Sequence, residues 1–207
     1  MAEAQPKYCL SYTDFQEDNW LPLDTLFVNH QSKQRQLLIG GSEIKLTSGD
    51  KEVDKILKEK AFAVFCHDTI FVNCAKLQYD SNQLGKGYTT ALRFGQNKLC
   101  FAGSTTLEKK AMSDMNMGSA ILGGGLIGGA LAARSMRDEM AVSKGCFITK
   151  IEFRSGIVKI IAIDDNFVRQ YLSTNPKLLE QYEQLRPKER LYAVHIIPLF
   201  REAGFIE

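Results

Sequence analysis

The sequence lacks most of the short patterns by which chemistry is recognised. It has no CxxC pair, and its five cysteines, Cys9, Cys66, Cys74, Cys100 and Cys146, fall at no metal-type spacing. Its three histidines, His30, His67 and His195, belong to no HxxxH or HExxH pair, so no metal site is spelled out. No GxSxG motif supplies a nucleophile elbow. An excess of either charge is missing too: 26 Lys and Arg are interspersed with 24 Asp and Glu, for a net charge of +2. Without a basic stripe, a nucleic-acid partner has no electrostatic support.

Glycine is plentiful, yet the two glycine patterns fail as nucleotide sites. In "GKGYTT", residues 85–90, Gly87 stands where a P-loop needs its hydroxyl. A turn before a strand near Leu92 explains it better. Gly123, Gly125 and Gly128 match GxGxxG in letters, but charged residues and methionines precede them where a strand is required. Cys66 and His67 are neighbours, and neighbours on a strand point to opposite faces, so a catalytic dyad is not expected. Asp164-Asp165-Asn166 offers oxygen donors in a row, but calcium loops alternate their ligands; helix capping is the expected role. No cofactor and no metal are implied.

What is present has globular proportions, 44% apolar and 24% charged residues. The pattern predicts an α+β fold: an antiparallel, hairpin-built sheet with a Gly/Ala-rich helical insertion at 112–140 and a C-terminal helical tail. Residues 1–163 form the expected sheet domain, and 164–207 the helices packing on the same core. Residues 7–29 read as an irregular arm entering a strand at Leu23–Val28. "RQLLIGGSEIKLT" reads as a hairpin about Gly40-Gly41.

"SGDKEVDKILKEK" reads as a surface helix capped by Ser48 or Asp50, with Val53, Ile56 and Leu57 inward. A turn at His67-Asp68 pairs Phe65 with Ile70 and Ala63 with Val72, with both faces apolar. That register separates Cys66 from Cys74 by several pairs, too far for a disulfide; the cysteines read as core thiols. Further hairpins turn at Gly95-Gln96-Asn97 and at Ser155-Gly156, the latter pairing Phe153 with Val158. Asp164 or Asp165 caps one terminal helix, and Asn175-Pro176 opens the next. Pro187 is expected to start a third helix with Leu191, Val194 and Leu199 inward and Pro198 kinking it.

The most unusual stretch runs from Met115 to Ala133, nineteen residues without a charge and six of them glycine. Lys109, Lys110 and Asp114 frame it on one side; Arg134, Arg137 and Asp138 on the other. Ala120, Gly124, Gly128 and Ala132 recur at every fourth position, with Gly125 and Gly129 beside them. On a helix this spacing makes a smooth stripe that lets another backbone approach closely. Each glycine costs about 1 kcal/mol relative to alanine, so an isolated helix would melt in water. A buried or self-associating helix, a membrane insertion near the lower length limit, and a mobile loop are the three environments left open.

Taken together, "YTDFQEDNWLPLDTL", "HDTIFVNCAKLQY", "GKGYTTALRFG", the Gly/Ala-rich segment and "IDDNFVRQYLSTNPKLLEQYE" give a chain that resembles uncharacterised exported proteins of Bacteroidetes, a family of unknown function. The resemblance implies a signal peptide removed near Gln5, and a periplasmic or envelope location. Ala2-Glu3-Ala4 before Gln5 has the small-x-small form of a cleavage site, with no apolar stretch ahead of it. Five cysteines fit an oxidising compartment poorly, which keeps the cytoplasm as the alternative. The resemblance brings no functional residues.

Two functions are expected. One is a non-enzymatic envelope protein that uses Ala120, Gly124, Gly125, Gly128, Gly129 and Ala132 to associate with itself or with a membrane or envelope partner. The other is a small-molecule-binding protein or hydrolase-like enzyme with a pocket between sheet and C-terminal helices, lined by Asp164, Asp165, His195 and Tyr88.

Overall fold

The computed structural model describes residues 5–30, 44–79, 82–102, 145–150 and 157–207. The Gly/Ala-rich segment, the Gly40-Gly41 turn and the pairing of Phe153 with Val158 lie outside the described residues. The fold is α+β, a mixed but mainly antiparallel sheet with five α-helices among the described residues. Two compact units are present. One comprises Met1–Phe101, Ile148–Ile161 and Phe205–Glu207; the other comprises Ala102–Phe147 and Ala162–Gly204.

The first unit is built on the hairpin of β5 (Ala63–Cys66) and β6 (Thr69–Asn73), in the register the sequence predicts: Ala63 faces Val72 and Phe65 faces Ile70. The turn residues His67 and Asp68 have φ of 47° and 56°. Both central residues of a type I′ turn need positive φ, and its twist matches that of the flanking strands. On one side β5 pairs with β1 (Lys7–Cys9), which pairs with the edge strand β2 (Leu21–Pro22). On the other, β6 pairs with β9 (Tyr88–Phe94), which turns at Gly95-Gln96-Asn97 into β10 (Lys98–Ala102). The order continues through β11 (Cys146–Lys150), β12 (Val158–Ala162), β7 (Leu77–Tyr79) and β8 (Asn82–Gln83), with β12 and β7 parallel. A side hairpin of β3 (Phe27–His30) and β4 (Ile44–Thr47) joins β9 at Tyr88.

Residues 7–29 are more regular than expected. They hold β1, a short helix α1 (Tyr12–Gln16), β2 and the start of β3. The helix is set by a reciprocal cap: Asp14 N donates to Ser11 Oγ (3.0 Å) while Ser11 N donates to the Asp14 carboxylate (2.8 Å). Phe15 of α1 is fully buried beside Phe62 and Tyr12.

Helix α2 (Lys51–Glu59) is capped by Asp50, which accepts from Glu52 N and Val53 N. Leu57 on its inner face packs among Leu46, Val64, Phe71 and Tyr88. All five cysteines are buried thiols. Burial pushes the Cys9 thiol up to about 12, so it stays protonated and inert at neutral pH.

The second unit carries α3 (Asp165–Leu172), α4 (Pro176–Gln184) and α5 (Ala193–Glu202). Asp164 caps α3 by accepting from Phe167 N (2.7 Å), and Asn175 caps α4 with Pro176 in its first turn. The third helix starts at Ala193 instead of just after Pro187, and it continues past Pro198 to Glu202. That start sets a different phase: Ala193, Ile196, Leu199 and Phe200 are buried, while Val194, expected inward, is 70% exposed. The turn formed by residues 186–190 uses up the chain on which the longer helix was expected.

Candidate functional site

In the second unit the loop entering α3 places Asp164 and Asp165 side by side with different tasks. Asp164 is spent on the helix cap. Asp165 points toward α4 and becomes the centre of a polar cluster. Its Oδ2 accepts from Arg169 Nε at 2.6 Å, one helical turn on. Its Oδ1 accepts from Tyr182 Oη at 2.7 Å and from Arg190 Nη1 at 3.4 Å. Arg169 also pairs with Glu183 through Nη1. The Arg190 guanidinium lies over the Tyr182 ring, 5.5 Å from its centroid.

Two cations and two carboxylates therefore close around one phenol. The Arg169 hydrogen bond, then that of Tyr182, hold the Asp165 carboxyl below its ordinary range; the same carboxylate raises Arg169. Burial, then the bond to Asp165, pushes the Tyr182 hydroxyl well above the usual tyrosine value, so it donates as a neutral phenol.

Because folded Asp165 titrates below its unfolded value, its stabilisation is complete above the ordinary carboxylate range and is lost as pH falls through the lowered value. The side chain is 41% exposed, so solvent screening limits the effect. Asp165→Asn should cost about 0.5–1 kcal/mol at neutral pH and almost nothing in strong acid. Urea unfolding midpoints of both proteins at the two pH values check this; an equal gap at both would show that charge plays no part.

His195, the remaining candidate of this unit, is half-buried on α5 with its ring stacked on Tyr192 (6.5 Å, 11°). Tyr88 belongs to the first unit. It is buried, and its hydroxyl donates to the carbonyl of Leu57 near the end of α2. Burial raises it strongly, so it too remains a neutral donor. Ala120, Gly124, Gly125, Gly128, Gly129 and Ala132 lie outside the described residues.

Sequence reasoning picked out Asp165 but missed Arg169, Glu183 and Arg190. The signal for Arg169 was present: aspartate and arginine four apart on a helix face each other. It also placed Cys66 and His67 on opposite faces, whereas Cys66 Sγ lies 3.1 Å from His67 Nδ1. The alternation rule holds for extended residues, and the positive φ of His67 turns its imidazole back toward the sulfur.

Among the described residues no group of three or more His, Cys, Asp or Glu side chains is placed to hold a metal ion. No helix among them is long and apolar enough to cross a membrane.

The pattern of a family of unknown function, DUF6563, matches residues 7–204. The chain belongs to this family. The DUF6563 match takes in both units, with every candidate residue named above. Neither a curated protein nor a solved structure matches the chain.

Proposed function

We propose that this DUF6563 protein is a non-enzymatic component of the bacterial cell envelope whose segment 115–133 associates with a second copy of itself. A membrane or an envelope partner is the other neighbour that the same stripe would accept. One observation carries the reading: nineteen consecutive uncharged residues, bracketed by charges, place Ala120, Gly124, Gly128 and Ala132 at helical spacing. Six glycines make such a helix unfavourable alone, and close packing against another backbone offsets that cost. The engagement of other candidates supports it: the Tyr88 hydroxyl and the Asp164 carboxylate are each committed to a backbone group.

Gly124→Leu with Gly128→Leu is expected to abolish association while the β5–β6 hairpin still folds. Sedimentation gives the solution mass, and vesicle flotation gives the lipid-bound fraction. A double variant unchanged in both measurements overturns the proposal. The export expected of the chain is tested separately by fractionating host cells with alkaline extraction. Recovery in the cytosolic fraction alone would remove the envelope from this reading and leave the association untouched.

A further inference from the structure

Lys7 of the first unit is held by rings. Its Nζ lies over two of them, 5.2 Å from the centroid of Trp20 and 5.3 Å from that of Phe65. Among the described residues the ammonium makes no hydrogen bond and no ion pair; the ring faces are its partners. The rings stand 6.3 Å apart and tilted by 59°, an open pair with the cation over both. Lys7, Trp20 and Phe65 are each only partly buried, so the pair opens to solvent.

The pair is fixed from behind. Phe65 sits on β5 opposite Lys7 of β1 and Ile70 of β6. Trp20 Nε1–H donates to Asp18 Oδ1 (2.7 Å), and the indole meets the buried Phe15 edge-on at 6.1 Å. Asp18 has a φ of 57°, a left-handed backbone that a non-glycine residue keeps only where its surroundings hold it. Arg93 Nη2 contacts the same carboxylate oxygen at 3.4 Å. The Trp20 bond first, then the Lys7 and Arg93 charges, hold the Asp18 carboxyl below its ordinary range. A negative charge therefore stands beside the rings at neutral pH.

We propose that Trp20 and Phe65 form a recognition site for a quaternary ammonium group, filled by the chain's own Lys7 when no ligand is bound. Ring faces carry negative potential and attract a cation of either kind. The missing acceptors make the choice. A primary ammonium gives up hydrogen bonds to water where no protein oxygen replaces them, whereas a quaternary nitrogen has no N–H to satisfy. Spacing agrees: the centroid distances exceed van der Waals contact of about 3.5–4.0 Å by roughly one N–C bond, which a methyl group between nitrogen and ring would fill. Room for the ligand comes from withdrawal of the Lys7 side chain, which no hydrogen bond retains.

The test titrates the full chain with tetramethylammonium chloride, sodium chloride holding the ionic strength constant, and reads the fluorescence of Trp20, the single tryptophan. A saturable change is expected, with sodium alone inert. Lys7→Ala removes the resident cation and should tighten binding about threefold or more, because apparent affinity falls with the fraction of sites left open. Adding Phe65→Leu to Lys7→Ala removes one ring and should weaken binding about tenfold relative to Lys7→Ala alone. Choline and phosphatidylcholine vesicles separate the two sources of the group. A response to choline alone assigns a dissolved ligand, a response to both assigns a lipid headgroup, and either supports the site. A change that does not saturate, or that sodium reproduces, overturns the proposal. So does a Lys7→Ala chain that binds no more tightly than the unaltered one, since Lys7 is then no competing occupant. Should that variant fail to fold, the titration of the unaltered chain still decides.

Discussion

Phe62→Ala is expected to destabilise the first unit by about 3–5 kcal/mol, the largest effect of any single side chain considered. Phe62 is 1% exposed and sits between the β1–α1 segment and the central hairpin. Its ring meets Tyr12 edge-on at 5.4 Å and Phe15 at 6.5 Å. Its backbone ties the same elements together, N donating to Cys9 O and O accepting from Asn73 N. Truncation would leave a cavity bounded by rings that the surrounding backbone prevents from collapsing inward. Tyr12 in particular is anchored at its far end, its hydroxyl donating to Asn97 O (2.6 Å) and contacting Thr149 Oγ1 (2.8 Å). Phe62→Leu keeps most of the volume and should recover more than half of the loss. Chemical denaturation monitored by Trp20, the single tryptophan, reads this unit directly. A cost for Phe62→Ala below about 1 kcal/mol would show that the site can close over the missing ring.

The β5–β6 hairpin was legible in the sequence because two constraints agreed. Two nearly continuous apolar runs marked the strands, and a two-residue turn fixed the register. The caps of α2, α3 and α4 were legible for a similar reason, since Asp and Asn act within three residues of themselves. The β1–α1–β2 segment was not, although Ser11-x-x-Asp14 spells its cap. Strands of two or three residues carry too little periodicity to be seen, and α1 makes little more than one turn. The third terminal helix failed on phase. The expected inner face took Leu191, Val194 and Leu199; the observed one takes Ala193, Ile196, Leu199 and Phe200, so Leu199 is common to both. Only the turn at 186–190, held by bonds from Glu189 N and Arg190 N to Arg186 O, decides between them.

The candidate site was legible only in part, because it is assembled from separate elements. Asp165 stood out as half of an acidic pair, but nothing in the sequence says that one aspartate caps and its neighbour turns toward α4. Tyr182 is buried on α4, and its hydroxyl finds Asp165 only once α3 and α4 pack. Arg190 was hidden inside a helix expected from Pro187 onward. Tyr88 shows the opposite failure. A tyrosine after a glycine turn looks available for a ligand, yet its hydroxyl is used on the Leu57 carbonyl.

That carbonyl leads to a residue that sequence reasoning passed over, Asn73, and Asn73→Ala should cost about 2–3 kcal/mol. Helix α2 leaves its last carbonyls without partners from within the helix. Asn73 is 1% exposed, and its Nδ2 lies 3.0 Å from Ala61 O and 3.4 Å from both Leu57 O and Lys58 O. Its Oδ1 accepts from Ala75 N (3.1 Å) to start the 3₁₀ turn Cys74–Lys76. One buried amide thus ends a helix, begins a turn and closes β6. Alanine removes the donor to Ala61 O and Lys58 O and the acceptor for the Ala75 N–H, while Leu57 O keeps the Tyr88 hydroxyl. Asn73→Asp separates the two roles, because it preserves the acceptor and replaces the NH2 donor with a carboxylate oxygen facing three carbonyls. At neutral pH the aspartate should therefore be worse than alanine. Its folded pKa would lie above the unfolded one, so the added destabilisation operates above the ordinary carboxylate range and shrinks as acid restores a donating O–H. Denaturation of both variants at neutral and at mildly acidic pH measures the difference. If the aspartate variant gains nothing on alanine as the pH falls, Asn73 is not acting as the donor to the end of α2.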